Sequence, residues 1–369
     1  MHRNHHPKNE RIKRQYAGWL REAQRMSEKS VDQVLAAIAQ FEASTGYKDF
    51  AAFHIEQARK FKRVLEGGTD TRTGRPVAKA TAAGRLKALK RFFVWLAGQP
   101  GYKSKLNYSD AEYFNPSNHD ARIASARRER PVPSVEQIQR VLVALPSSTD
   151  IEKRNRALIA FVILTGARDD AVASASLRHV DIAARRFDQD ARDVRTKYRK
   201  TFSTWFFSID EDVERIVAAW VRHLREELYF GPDDPLFPAT KIELNDEGHF
   251  AAAGLERKHW ANAGPIRRIF KESFEAAGLP YYNPHSFRST LARLGQQTCR
   301  NAEELKAWSQ NLGHEQVMTT LTSYGTVPPH RQAELITAFR DRAAVAGGRL
   351  DADEIARAVR IITAISPDC

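Results

Sequence analysis

Four polar side chains of reactive type recur in the last third of this sequence. His285 and Arg288 are three residues apart, so on a helix they would share one face. His314 follows Leu312-Gly313, a pair typical of a helix end, because glycine readily takes the left-handed turn there. Tyr324 comes ten residues later. An arginine, two histidines and a phenol brought together would suit chemistry on an anion, with the phenol as nucleophile.

A phosphodiester fits this set, because displacement at phosphorus spreads negative charge over oxygens that fixed cations must hold. Arg168 and Arg288 are the candidate cations, since a guanidinium donates two hydrogen bonds and stays charged. Two cations would favour the phenolate, a histidine could take its proton, and a hairpin lysine could protonate the departing sugar oxygen. The scheme uses neither metal nor cofactor, and the sequence offers no nuclease-type acidic cluster, HExxH motif or phosphate-binding glycine loop.

The chain is basic, with a formal net charge of +13 over 369 residues and 42% hydrophobic content. Such a surplus favours a polyanionic partner, DNA or RNA first, although a merely basic soluble protein is the plainer interpretation. Cys299 and Cys369 have no CxxC spacing, which fits a reducing cytoplasm and not a disulfide framework. We expect no signal peptide and no transmembrane helix.

Residues 1–120 predict an all-helical, basic domain. One helix, from about Val77 to Leu96, combines an apolar stripe with basic side chains on its other faces. Those basic residues are candidates for contact with a DNA backbone: Arg85, Lys87, Lys90 and Arg91. A solvated charged face explains the same pattern equally well.

Residues 121–133 predict a basic linker, because they lack a hydrophobic period and end in a Pro-x-Pro pair. Arg127 and Arg128 in it could follow phosphates. Residues 134–369 predict a second domain, mainly helical, with a helical tail from about 331 to 369. It should also contain three short strands, which lie at Val180–Ile182, Asp193–Lys197 and Thr201–Phe207.

In their order and spacing, these motifs resemble the tyrosine recombinases, the phage-integrase-like site-specific DNA recombinases. The resemblance covers Ser134 to about Thr326. The matching motifs are Leu164-Thr-Gly-Ala-Arg168, His285-Ser-Phe-Arg288, Leu312-Gly-His314, and Thr319-Thr320 followed by Tyr324. Lys197 best matches the hairpin lysine of the family, and Lys200 is the second candidate for that position. If Lys197 takes the role, Lys200 is a candidate for contact with DNA.

The resemblance implies a mainly α fold with a small β-sheet. A helical core-binding domain and a mixed α/β catalytic domain would form a two-domain C-shaped clamp around double-stranded DNA. It implies site-specific recombination or integration of mobile-element DNA through a 3′-phosphotyrosine, in a bacterial cytoplasm at the nucleoid. It also implies a homotetramer at synapsis, with the C-terminal helix on a neighbouring protomer. The roles it implies are phosphate binding by Arg168 and Arg288, proton handling and phosphate contact by His285 and His314, general acid for Lys197, and nucleophile for Tyr324.

Two other functions are compatible with the same residues. A topoisomerase of the same mechanistic type would use the same site as a monomer. A DNA-binding regulator on an inactive integrase scaffold would keep the fold without the chemistry. The sequence also departs from the family at Ala171, where an acidic residue often stands three positions after the first arginine.

Overall fold

The computed structural model describes residues 5–69, 74, 76–125, 131–246, 248–314, 333, 334, 337 and 338. Internal contacts divide the chain into two units, Met1–Arg128 and Glu129–Cys369. In the part of the chain that the structure describes, both units are mainly helical, and the second also holds two small antiparallel sheets. The predicted fold class, mainly α with a small β component, is confirmed; the clamp shape and the domain limits stay predictions.

The first unit is a helical bundle around an aromatic core. Its helices are α1 (Pro7–Glu22), α2 (Glu28–Ser44), α3 (Ile55–Gly67), α4 (Lys79–Ala97) and α5 (Asn118–Ser125). Phe41, Phe93 and Phe114 are fully buried and meet with ring centroids 5.0–5.5 Å apart. Helix α5 reaches Ser125, so the first residues of the predicted linker are helical.

The second unit begins with α6 (Val135–Ala144), which a capping box formed by Ser134 and Gln137 starts. Its further helices are α7 (Asp150–Thr165), α8 (Asp169–Val172), α9 (Glu211–Glu226), α10 (Gly264–Ala276), α11 (Pro284–Thr298) and α12 (Ala302–Asn311). Its strands are β1 (Val180–Asp181), β2 (Arg186–Gln189), β3 (Phe202–Trp205), β4 (Ala239–Leu244) and β5 (Phe250–Glu256).

Helix α7 is the centre of this unit. Every side chain from Leu158 to Leu164 is buried, so the second half of the helix is apolar on all sides and must be surrounded by other elements. It ends at Gly166, which has φ +58°. A Cβ at Gly166 would lie 2.8–2.9 Å from Leu312 and Leu291, so the glycine also lets α11 and the end of α12 approach closely.

The three-stranded sheet has the order β1-β2-β3, with Phe187 opposite Thr204. The predicted strand at Asp193–Lys197 is wrong: the middle strand is Arg186–Gln189. The reason is Asp190, whose side chain accepts a hydrogen bond from the backbone of Arg192 and whose carbonyl accepts from Val194. These bonds turn the chain out of the sheet directly after β2.

None of the helices in the described part of the chain is long and apolar enough to cross a membrane. The predicted C-terminal helices between 331 and 369 lie almost entirely outside the described residues.

Candidate active site

Arg168 lies in the short connection between the central helix α7 and helix α8. It is the N-cap residue of α8, and its side chain is half-buried. Within the described ranges, no hydrogen bond or ion pair joins its guanidinium to another residue. Burial lowers the pKa of Arg168, and the lowering reflects desolvation of the charged form. A half-buried cation without a partner is suited to receive an anion from outside the protein.

Helix α11 presents His285 and Arg288 on one face, as their spacing predicts. Asn283 caps this helix by accepting a hydrogen bond from the backbone of Ser286, and Pro284 occupies its first turn. Arg288 is only 3% exposed, whereas His285 is open to solvent on one side. The buried arginine is thus a fixed group, and the histidine stands at the surface next to it.

The guanidinium of Arg288 joins the ends of two helices. Its Nη1 donates to the carbonyl of Gly166 at 2.5 Å, just after α7. Its Nη2 donates to the carbonyl of Leu312 at 2.6 Å, just after α12. Carbonyl groups at helix C-termini carry partial negative charge, so a buried cation is favourable there. Arg288 therefore fixes the relative position of the two turns that lead to Arg168 and to His314.

His314 is held by the same guanidinium. Its Nε2 lies 3.0 Å from Nη2 of Arg288, and because a guanidinium only donates, Nε2 must be the acceptor. The imidazole is therefore neutral, with its proton on Nδ1. Desolvation first, then the charges of Arg288 and Arg168, lower the pKa of His314 to about 4.

The end of α12 is pinned on two sides, which sets the position of His314. Asn311 bonds the backbone of Trp205 in β3 twice, accepting at 2.8 Å and donating at 2.9 Å. Trp308 donates from its ring nitrogen to the carbonyl of Leu291 in α11 at 2.9 Å. Neither residue could be singled out from the sequence, because neither contact leaves a local sequence signal.

His285 belongs to the same electrostatic environment. The largest cause that lowers the pKa of His285 is desolvation by burial. The charges of Arg288 and Arg168 come next. Lys197 lowers the pKa further, and Asp169 acts in the opposite direction. The structure therefore brings Arg168, His285, Arg288 and His314 into one cluster, with Lys197 in electrostatic range.

Lys197 lies in the connection between β2 and β3, within a short 3₁₀ turn, Lys197–Arg199. Its Nζ is 4.8 Å from the centre of the Tyr198 ring. Lys200 follows this turn and is half-buried. Tyr324, with Thr319 and Thr320, lies outside the described residues.

The departure at Ala171 has a structural counterpart. Ala171 is buried, so a carboxylate could not take its place without rearrangement. Asp169, the acidic residue directly after Arg168, is bound by Arg267 of α10 at 2.7–2.8 Å, and not by Arg168. Arg267, which the sequence analysis did not single out, therefore fixes the first turn of α8 after Arg168.

The predicted DNA-contacting residues on α4 differ in their surroundings. Lys90 pairs with Glu112 at 2.9 Å, and Arg91 lies over the ring of Trp19 at 5.5 Å. Arg85 is half-buried, whereas Lys87 is exposed and makes no hydrogen bond or ion pair within the described residues. Arg127 and Arg128 lie outside the described residues.

In the described residues, no group of three or more His, Cys, Asp or Glu side chains is arranged to hold a metal ion.

No protein-family model and no curated protein matches this chain. Solved structures do match it. A lambda integrase dimer bound to a COC′ core site is similar at 14% identity over 87% of this chain and 96% of that chain, with a TM-score of 0.56. The XerH site-specific recombinase bound to palindromic difH substrate is similar at 16% identity over 89% and 85%, with a TM-score of 0.56.

The integrase of the Tn1549 transposon, in complex with transposon right end DNA, is similar at 13% identity over 89% of this chain and 99% of that chain, with a TM-score of 0.52. These proteins are recombinases and integrases, and the chain has the fold that they share. The tyrosine recombinase fold predicted from the motifs is thereby confirmed.

Proposed function

We propose that this protein is a site-specific DNA recombinase or integrase that cleaves and rejoins strands through a covalent 3′-phosphotyrosine at Tyr324. One observation carries the proposal: two arginines and two histidines from separate parts of the chain, Arg168, His285, Arg288 and His314, converge on one site. The fold around this site is the fold of integrases and recombinases solved on DNA.

The two arginines would bind the scissile phosphate. Arg288 is held rigidly by two backbone carbonyls, so its charge needs no reorganisation when the phosphate arrives. Arg168 has no partner within the described residues, so the phosphate would supply one. A cation that is already desolvated interacts more strongly with an anion than one in bulk water.

The two histidines would handle protons as neutral bases. In the proposed step the phenol oxygen of Tyr324 bonds to phosphorus, and its proton passes to an imidazole. His285 suits this task, because its lowered pKa leaves it neutral near pH 7 and its ring reaches solvent. His314 already accepts a hydrogen bond from Arg288, so it would orient that arginine on the phosphate.

The departing 5′-oxygen also needs a proton. As the bond from phosphorus to the 5′-oxygen breaks, that oxygen takes a proton from the ammonium of Lys197, in the role of general acid. The phosphotyrosine keeps the energy of the phosphodiester, so a 5′-hydroxyl can later rejoin the strand without ATP. No step in this scheme calls for a metal ion.

Double-stranded DNA is the proposed partner, in keeping with the net charge of +13. A lambda integrase tetramer bound to a Holliday junction is similar to this chain at 16% identity with a TM-score of 0.53. By analogy we propose a homotetramer at synapsis, with the tail of about 331–369 packing on a neighbouring protomer.

Covalent capture on genomic DNA tests the function. Cells expressing the protein are lysed in denaturant, protein-linked DNA is recovered, and the attached ends are sequenced. A recombinase gives adducts at a few sites that share a sequence. Adducts scattered over the genome would point instead to a topoisomerase, and an absence of adducts beside normal DNA binding would point to a regulator.

A further inference from the structure

The turn that carries Lys197 has an unusual tip. Tyr198 and Arg199 both have positive φ, +60° and +53°, although both carry a Cβ. This conformation is unfavourable for such residues and persists only where the surrounding structure imposes it. Tyr198 is also 79% exposed, so burial of its side chain does not explain the conformation.

The base of the same connection is firmly anchored. Val194 is buried in the core, and the backbone N–H of Arg195 donates to the hydroxyl of Ser174 at 2.8 Å. That hydroxyl in turn donates to the carbonyl of Asp170 in α8, the helix that Arg168 begins. The tip is therefore carried on a base whose position is tied to Arg168.

From this geometry we infer that Tyr198 is a positioning residue for Lys197: the left-handed turn brings the ring beneath the ammonium and holds the ammonium on the side of the phosphate site. Nζ of Lys197 lies 4.8 Å from the ring centre, which is a cation–π contact. A lysine on a mobile four-carbon stem would otherwise sample many positions, and the ring restricts them.

The charges around the tip agree with this orientation. Lys197 acts on the pKa of His285, and the phenol of Tyr198 acts on that of Arg168. Lys197 and Tyr198 therefore both lie within electrostatic range of the cluster, as the positioning role requires.

The inference rests on the proposed function, in which Lys197 protonates the departing 5′-oxygen. A substrate whose leaving group needs no proton distinguishes a failure of this inference from a failure of the proposed function. Sulfur in place of the bridging 5′-oxygen provides one, because a thiol with a pKa of about 8.5 leaves readily as thiolate. Any defect that acts through Lys197 should disappear on this substrate.

The experiment measures single-turnover cleavage of both DNA substrates, built on the site identified by covalent capture. The Tyr198→Asn variant removes the ring and keeps a residue that tolerates positive φ; Tyr198→Phe keeps the ring. Lys197→Ala and Lys200→Ala are the reference variants. On the oxygen substrate we expect Tyr198→Asn to be slower by about two- to fivefold, the ratio for an exposed cation–π contact, with Tyr198→Phe unchanged. On the sulfur substrate both should match the wild type.

Three outcomes would count against the account, and they are distinguishable. If Tyr198→Asn cleaves the oxygen substrate at the wild-type rate, or is slowed equally on both substrates, the positioning role is wrong. If Lys197→Ala is slowed equally on both substrates while Lys200→Ala recovers on sulfur, Lys200 is the general acid and the role of Tyr198 falls with that of Lys197. If the wild type cleaves neither substrate, the proposed function itself is wrong.

Discussion

Nη2 of Arg288 donates a hydrogen bond to Nε2 of His314 at 3.0 Å, across 26 residues of sequence. The bond fixes the protonation state of the histidine, because a guanidinium cannot accept. Two residues with separate sequence motifs thus form one unit, in which a buried cation and a neutral imidazole are aligned before any DNA arrives.

The two arginines of the site should differ in how much they contribute to the free energy of unfolding. Arg288→Ala would leave the carbonyls of Gly166 and Leu312 without their donor, at about 1–3 kcal/mol each. Arg168→Ala breaks no hydrogen bond or ion pair within the described residues, so we expect it to change the free energy of unfolding by less than about 1 kcal/mol. Both should lower cleavage by on the order of 10²–10³-fold. Urea unfolding and suicide-substrate cleavage measure the two effects; equal destabilisation by the two variants would contradict this assignment.

The stability of the second unit should depend on pH through His314. Its pKa is about 4 in the folded protein and near 6.5 when unfolded, so the unfolded chain binds the proton first. This contribution to stability is present above pH 6.5 and is lost as the pH falls toward 4, at no more than about 1.4 kcal/mol per pH unit.

A His314→Asn variant tests this pH dependence, since asparagine can also accept from Arg288 but does not titrate in this range. Unfolding measured between pH 7 and 4.5 should show a shallower loss of stability in the variant. Parallel curves for the two proteins would show that His314 is not protonated differently on unfolding.

Gly313, directly before His314, should not tolerate a side chain. It has φ +68°, and a Cβ there would lie 2.6 Å from the ring of Phe202. Gly278 provides a matched control, because it has φ +67° and open space around it. We expect Gly313→Ala to lower the free energy of unfolding by at least about 1 kcal/mol more than Gly278→Ala does. Gly313→Ala should also lower the cleavage rate, and Gly278→Ala should not. Similar costs for both would show that the Phe202 contact is not restrictive.

On α4, Lys87 should contribute more than Lys90 to the salt dependence of DNA binding. Lys87 is exposed without a partner in the described ranges, whereas Lys90 is paired with Glu112. Lys87→Ala should reduce the slope of log K against log salt by about 0.9, and Lys90→Ala by less. Binding titrations over a range of salt concentrations measure both slopes, and an unchanged slope for Lys87→Ala would remove it from the interface.

Local sequence signals predicted the helices that carry the site, but not the contacts between them. His285 and Arg288 share a helix, as their spacing predicts, and Gly313 takes the predicted left-handed turn, with φ +68°. The bonds from Arg288 to two helix ends could not be predicted, because they join residues 122 and 24 positions apart.

The connection between β2 and β3 shows the other limit of sequence analysis. Asp193–Lys197 has the composition of a strand, yet the turn at Asp190 takes those residues out of the sheet. The positive φ of Tyr198 has no signal in the sequence, since tyrosine rarely adopts it. Both features depend on tertiary contacts of the chain on either side.

The central claim is that the cluster around Arg168 and Arg288 serves a tyrosine nucleophile at Tyr324. The direct measurement is the denaturant-stable adduct formed with a nicked suicide substrate, followed by mass spectrometry of the DNA-linked peptide. Tyr198→Phe is the matched control, because Tyr198 is another phenol that lies in electrostatic range of Arg168. We expect Tyr324→Phe to bind DNA but to form no adduct, Tyr198→Phe to form it normally, and the wild-type adduct to be on Tyr324. An adduct that persists in Tyr324→Phe, or that maps to another residue, would contradict the account.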